Sequence, residues 1–136
     1  MLLIGIDPGK YTGVCVYDKT SKKIVRLSSE SILRAVEIVR EMNDASNGNM
    51  KVFVEDARKR KWFGDRSNHK LQGAGSIKRD CAIWEDFLKD LKVEYEMLAP
   101  QKGLTKLTAE KFREITKWTG STNEHSRDAA MIVWGR

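Results

Sequence analysis

Cysteine and proline are scarce in this chain, two of each in 136 residues. Two cysteines cannot build the multi-bridge framework of a small secreted scaffold. Cys15 falls in a strand pattern and Cys81 in a helical one, so both read as buried thiols of a reducing compartment. So few prolines leave long regular elements possible. No apolar run approaches ~20 residues, which excludes a membrane-spanning helix. The opening "MLLIGID" is too short and too quickly acidic for a signal peptide, so a cytoplasmic protein is expected. No Cys/His set has the spacing of a zinc site.

Acidic residues are nearly missing from one stretch. Between Arg58 and Arg79 stand eight basic residues (Arg58, Lys59, Arg60, Lys61, Arg66, Lys70, Lys78, Arg79) and one acid, Asp65, which gives 8 − 1 = +7. The whole chain carries +6, so the remainder is close to neutral. Positive charge packed into one segment suits a polyanion partner, although the run alone is also compatible with a solvated loop.

The length suits one domain, 1–136, with one core. Leu2 to Asp7 reads as a buried strand, Val14 to Asp18 as its return and Ile24 to Ser28 as a third strand. "SESILRAVEIVREMN" places Ile32, Val36 and Val39 on one helical face. "MKVFVED" is a fourth strand ending in Glu55 and Asp56. Ile77, Cys81, Trp84, Leu88 and Leu91 then repeat at helical spacing, and "VEYEMLA" is a fifth strand. Thr108 is placed to cap a further helix, with Leu107 and Phe112 as a hydrophobic staple and an end near Gly120. A last helix begins around His125. Tight links favour antiparallel pairing of the first three strands, and intervening helices favour parallel pairing of the later ones. The expected fold is α/β, a mixed five-stranded sheet with helices packed on it.

In that topology strands one and four lie side by side, so Asp7 and Glu55 emerge at one sheet edge, where open α/β sheets tend to place ligands. Asp7 alone is equally a turn residue before Pro8 and Gly9. His125 and Asp128, three apart, share a face of the last helix, and Ala129 and Ala130 let that helix sit close to the sheet. Clustered carboxylates repel and hold protons unless a counter-charge is supplied. Oxygen ligands suit Mg²⁺ or Mn²⁺. Two such ions, bridged by one carboxylate, activate water and stabilise a leaving alkoxide in phosphodiester hydrolysis.

"IGIDPGKYTGVCVYD", "VFVED" and "HSRDAA", in this order, resemble the RNase H-like nucleases, and most of all the RuvC-type Holliday-junction resolvases. "KLQGAGSIKRD" resembles the start of that family's central helix, and "MLAPQKGLTKLTAEK" its Pro-then-lysine stretch. The resemblance covers nearly the whole chain. It implies an RNase H-like fold and a homodimer that cuts four-way DNA junctions by paired nicks with two Mg²⁺ or Mn²⁺ ions. It implies metal binding by Asp7, Glu55 and Asp128, with His125 in a position that is Asp or His in such enzymes. Lys111 resembles a basic residue near the scissile phosphate, with Lys106 the second candidate. Arg58, Lys59, Arg60 and Lys61 are expected to meet DNA. The chain is shorter than typical members. Their aromatic wedge follows the glutamate closely, whereas here Arg58 stands nearby and Trp62 and Phe63 come later. Either ring could stack on an unpaired base. A small phage-encoded or divergent resolvase, working in a bacterial or phage-infected cytoplasm, fits this pattern.

Three other functions are compatible with parts of the pattern. A nuclease of the same fold acts on flaps or RNA–DNA hybrids, and the basic loop argues mildly against that. An actin-like ATPase opens similarly but needs two lobes and a second phosphate loop. A non-catalytic nucleic-acid-binding module is disfavoured because every expected acidic position is filled.

Overall fold

The computed structural model describes residues 1–60, 68–100 and 106–136, with side chains described outside 68–74. Strands β1 (Leu2–Asp7), β2 (Thr12–Asp18), β3 (Lys23–Glu30), β4 (Met50–Glu55) and β5 (Glu94–Leu98) form one sheet in the order β3-β2-β1-β4-β5. β1–β2 and β2–β3 are antiparallel, while β1–β4 and β4–β5 are parallel. This is the mixed sheet the linkers imply. Short turns reverse the first three strands. α1 (Ile32–Ala45) and α2 (Asn68–Leu91) lie in the connections that return the chain for parallel pairing. α3 (Ala109–Thr116) and α4 (Glu124–Val133) complete the order.

Alternation along the central strands sends side chains to both faces of the sheet. Ile4, Ile6, Val14, Val16, Val52 and Val54 pack with Ala35, Ile38 and Val39 of α1 and Trp84 and Leu88 of α2. Leu3, Cys15, Tyr17 and Phe53 pack on the other face with Phe112 of α3 and Ala129, Ala130 and Val133 of α4. The sheet therefore separates two apolar clusters, where the sequence suggested one core. A fully buried Leu, Ile or Val contributes ~1.5–3 kcal/mol, so each layer has enough apolar contact to fix its helices. Cys15 and Cys81 are both free and buried, and burial pushes the Cys15 thiol up to about 12. Among the described residues no helix is long and apolar enough to cross a membrane.

Three local expectations change. α3 stops at Thr116, not near Gly120. Lys117 turns left-handed (φ 62°), its N–H bonds the Arg113 carbonyl at 2.9 Å, and the Thr116 hydroxyl donates to Phe112 O at 2.8 Å. α4 begins one residue early because Asn123 and Ser126 cap each other reciprocally. Ile77 leaves the apolar stripe of α2 and is 39% exposed. The 24 residues of α2 run ~36 Å, while the six of β4 run ~20 Å, so the helix outruns the sheet. The Cys81 thiol lies 3.8 Å from the carbonyl of Glu55, at the strand end, and Ile77 lies a turn beyond it.

Candidate active site

Register places the first two carboxylates. Ile6 of β1 pairs with Val54 of β4, so the next residues, Asp7 and Glu55, leave the sheet side by side. On the other flank Asp7 pairs with Gly13 of β2. The turn after Asp7 is closed by the buried Thr12, whose hydroxyl donates to Gly9 O at 3.0 Å.

α4 brings the other two groups. The Asn123 carboxamide accepts from Ser126 N at 2.9 Å, and the Ser126 hydroxyl accepts from Asn123 N at 3.0 Å, which fixes the first turn. Gly5 and Gly13 admit the helix to the sheet. A Cβ on Gly13 would overlap the carbonyl oxygen of His125, and one on Gly5 would overlap that of Ala129. Ala129 and Ala130 do the same from the helix side, as their size suggests. The two glycines were not anticipated, because their role needs a partner more than 100 residues away.

His125 Nδ1 lies 3.5 Å from Asp7 Oδ2. Asp128 is close enough to Asp7 and Glu55 to repel both carboxylates. Asp7 is pushed up from 3.8 to about 7, first by burial, then by the charges of Glu55 and Asp128. His125 opposes this shift through its charge and hydrogen bond. Glu55 is also raised, by burial and by Asp128, and is partly restrained by Arg60 and Lys106. The four residues expected to work together thus gather at one edge of the sheet.

The basic residues divide. Lys106 Nζ is 3.4 Å from Asp128 Oδ2 and contacts Glu124 closely. Arg127, unanticipated from the sequence, helps fix the approach: its Nε donates to Leu107 O at 2.9 Å and its Nη1 to the Thr122 hydroxyl at 2.8 Å. Lys111 is instead exposed on α3, 3.5 Å from Glu114. Lys106, the second candidate, is therefore the lysine that touches a carboxylate of the cluster. Arg58 is bound by Asp56 and Glu85, Lys59 donates to Met97 O at 2.7 Å, and Arg60 is exposed with its charge felt at Glu55. Lys61, Trp62 and Phe63 lie outside the described residues.

The donor set fits a hard divalent cation: three carboxylates and an imidazole at one edge, with the central carboxyl driven toward protonation. As the side chains stand, among the described residues no three acidic, histidine or cysteine groups converge at ligand spacing. An ammonium and an imidazole N–H, those of Lys106 and His125, instead face Asp128 and Asp7. Those are the places where a positive charge relieves the repulsion.

No protein-family model matches the sequence, and no curated protein matches it. Among solved structures, the chain is similar to T. thermophilus RuvC in complex with a Holliday junction substrate. The TM-score is 0.62 at 18% identity, over 98% of this chain and 91% of that one. The likeness carries the fold, an RNase H-like α/β sheet with helices on both faces.

Proposed function

We propose that this protein is a metal-dependent, structure-selective endodeoxyribonuclease that hydrolyses phosphodiester bonds in branched DNA and resolves four-way junctions by paired nicks. The observation that carries this reading is the raised carboxyl of Asp7 beside Glu55 and Asp128. Three carboxylates brought together with only an exposed lysine and an imidazole beside them still repel, and a ligand that supplies positive charge relieves that repulsion. The shared fold with a RuvC bound to a Holliday junction supports the choice of substrate.

Asp7, Glu55, Asp128 and His125 would hold two Mg²⁺ or Mn²⁺ ions. Such ions lower the pKa of water toward neutrality and stabilise charge on the leaving oxygen. The chain's own residues have separate tasks. Asp7 and Glu55 sit at the ends of paired strands, so their carboxylates are presented from a rigid edge. His125, whose Nδ1 is 3.5 Å from Asp7, would either join the ligand set or, held by Asp7, take up the proton of the attacking water at its other ring nitrogen. Lys106 can exchange Asp128 for a phosphate oxygen as substrate arrives, because its side chain is largely exposed. Arg60, with Lys61, contributes positive charge for the DNA backbone, and Trp62 or Phe63 stacks on a base at the branch point. Two active sites, one per protomer of a two-fold dimer, would make the paired cuts. The part of α2 that outruns the sheet, with exposed Ile77, is the proposed contact between protomers.

The test is incubation with Mg²⁺ or Mn²⁺ and end-labelled four-way, Y-shaped and linear duplex DNAs. The expected result is symmetric paired nicks in the four-way junction and little cutting of linear duplex. No cleavage of any of these DNAs with either ion would overturn the reading.

A further inference from the structure

Directly after Glu55 stands a second acid with a different environment. Asp56 is the only acidic residue that is buried among the described residues. Its N–H donates to Leu98 O, at the end of β5, at 2.7 Å. Its Oδ1 accepts from the backbone N–H of Arg58 at 3.0 Å and from Arg58 Nε at 2.8 Å. Its Oδ2 accepts from Arg58 Nη2 at 2.8 Å, which completes a two-pronged fork. The same Nη2 reaches Glu85 Oε1, on α2, at 3.2 Å. One turn earlier on α2, the thiol of Cys81 approaches the carbonyl of Glu55. The segment that carries Glu55 is therefore tied to β5 on one side and to α2 at two points on the other.

Charge decides what Arg58 is free to do. One guanidinium faces two carboxylates, so the group sums to 1 − 2 = −1. A phosphate approaching Arg58 would meet a net negative cluster whose Nε and Nη2 are already engaged. Burial pushes the Asp56 carboxyl up, yet the hydrogen bonds and charge of Arg58 outweigh it and hold Asp56 below its ordinary range. The fork and the turn it closes are held by three hydrogen bonds. The fork also sits one peptide from Glu55.

We infer that Asp56, Arg58 and Glu85 are positioning residues that hold Glu55 against α2, and that Arg58, although it opens the basic segment, makes no phosphate contact. This inference rests on the nuclease reading. The partner of the network is the divalent ion that Glu55 would bind: loosening the fork lets the carboxylate wander and weakens ion binding, as the loss of outer partners does at metal sites. DNA affinity then depends on Arg60 and the residues after it.

The test uses the full chain with Arg58→Gln, Arg58→Lys and Glu85→Gln. Junction binding is measured without divalent ions over a salt series, and Mn²⁺ binding by calorimetry, with melting curves as a control for folding. For Arg58→Gln the log–log salt slope should match the parent while Mn²⁺ affinity falls about 10-fold. Arg58→Lys should recover part of that loss, because it restores the charge without the fork. Glu85→Gln, at the more exposed end of the network, should weaken Mn²⁺ binding several-fold at unchanged slope. It tests the same link if Arg58→Gln does not fold. A slope reduced by ~0.9 in Arg58→Gln would make Arg58 a phosphate contact and overturn the inference while leaving the nuclease reading intact. Folded variants with parental Mn²⁺ affinity would also overturn it. A parent protein that binds no Mn²⁺ and cuts no junction would remove the reading beneath it, a result separable from either of the others.

Discussion

Asp7 and Asp56 lie at the ends of neighbouring strands, and their carboxyls meet opposite fates. Asp56 is enclosed by Arg58, and its charge is held. Asp7 is 15% exposed, faces Glu55 and Asp128, and is raised to about 7. Burial disfavours both charges, so burial does not separate them. The partner does. A buried acid with a two-pronged cation is part of the framework. A half-buried acid surrounded by other acids is a place where the fold tolerates repulsion, and such a place is a candidate for function.

The largest effect that tests this contrast is on activity. Asp7→Asn should reduce junction cleavage by ~10³-fold or more, about 4 kcal/mol, with junction binding retained. The amide keeps the shape and loses the charge. Near-parental cleavage by this variant would put Asp7 in the same framework class as Asp56.

Stability should then move in opposite directions. Asp56→Ala leaves the Arg58 fork without its partner and should cost about 3 kcal/mol in urea unfolding. That is the low end for a broken buried pair, since Arg58 keeps 30% exposure. Asp7→Asn should stabilise the ion-free protein at pH 8. Equal destabilisation by both variants would erase the distinction.

A pH series sharpens the same point. The folded protein binds the Asp7 proton more tightly than the unfolded chain does. Unfolding therefore releases a proton, and ion-free stability should fall as pH rises from about 4 to about 7. A decline of about 2 kcal/mol is expected, and it should be clearly smaller in Asp7→Asn, where the raised Glu55 carboxyl remains. Asp56, held low, gives the reverse: its contribution is present above pH 4 and is lost on further acidification. A profile that rises between pH 4 and 7 would contradict the environment described for Asp7.

The smallest effect separates the two lysines. Lys106→Ala and Lys111→Ala should each change stability by under ~1 kcal/mol, since both ion pairs are exposed. Lys106→Ala should slow cleavage more than Lys111→Ala. The reverse order would return Lys111 to the position that the family resemblance suggests.

Much of the frame was legible because it depends on local pattern. The Asp-Pro-Gly reversal, the alternation of β1 and β2 and the helical spacing from Cys81 to Leu88 are short-range signals, and the sheet order follows from them. The placement of Asp7 and Glu55 at one edge was legible because each closes a strand, and that of His125 and Asp128 because their spacing puts them on one helical face. What escaped depends on neighbours distant in the chain. Arg58 reads as one more cation in a basic run, and only the fold shows Asp56 and Glu85 around it. Ile77 fits the apolar stripe, and only the length of β4 shows that the sheet ends before it. Gly5 and Gly13 look like ordinary strand residues until α4 is laid over them. Asn123 was missed as a cap because its reciprocal partner is Ser126, where the pattern sought is Glu or Gln.

The central place of β1 has a consequence for motion. β1 is hydrogen-bonded along both edges, to β2 and to β4, whereas β3 and β5 are bonded along one. Local opening proceeds from weakly held rims, so amide protons of β3 and β5 should exchange with solvent first and those of Ile4, Ile6 and Val52 last. Asp7 and Glu55 are thus carried on the slowest-breathing part of the molecule. Fluctuations that fray the sheet margins can come and go many times while the two carboxylates remain in register.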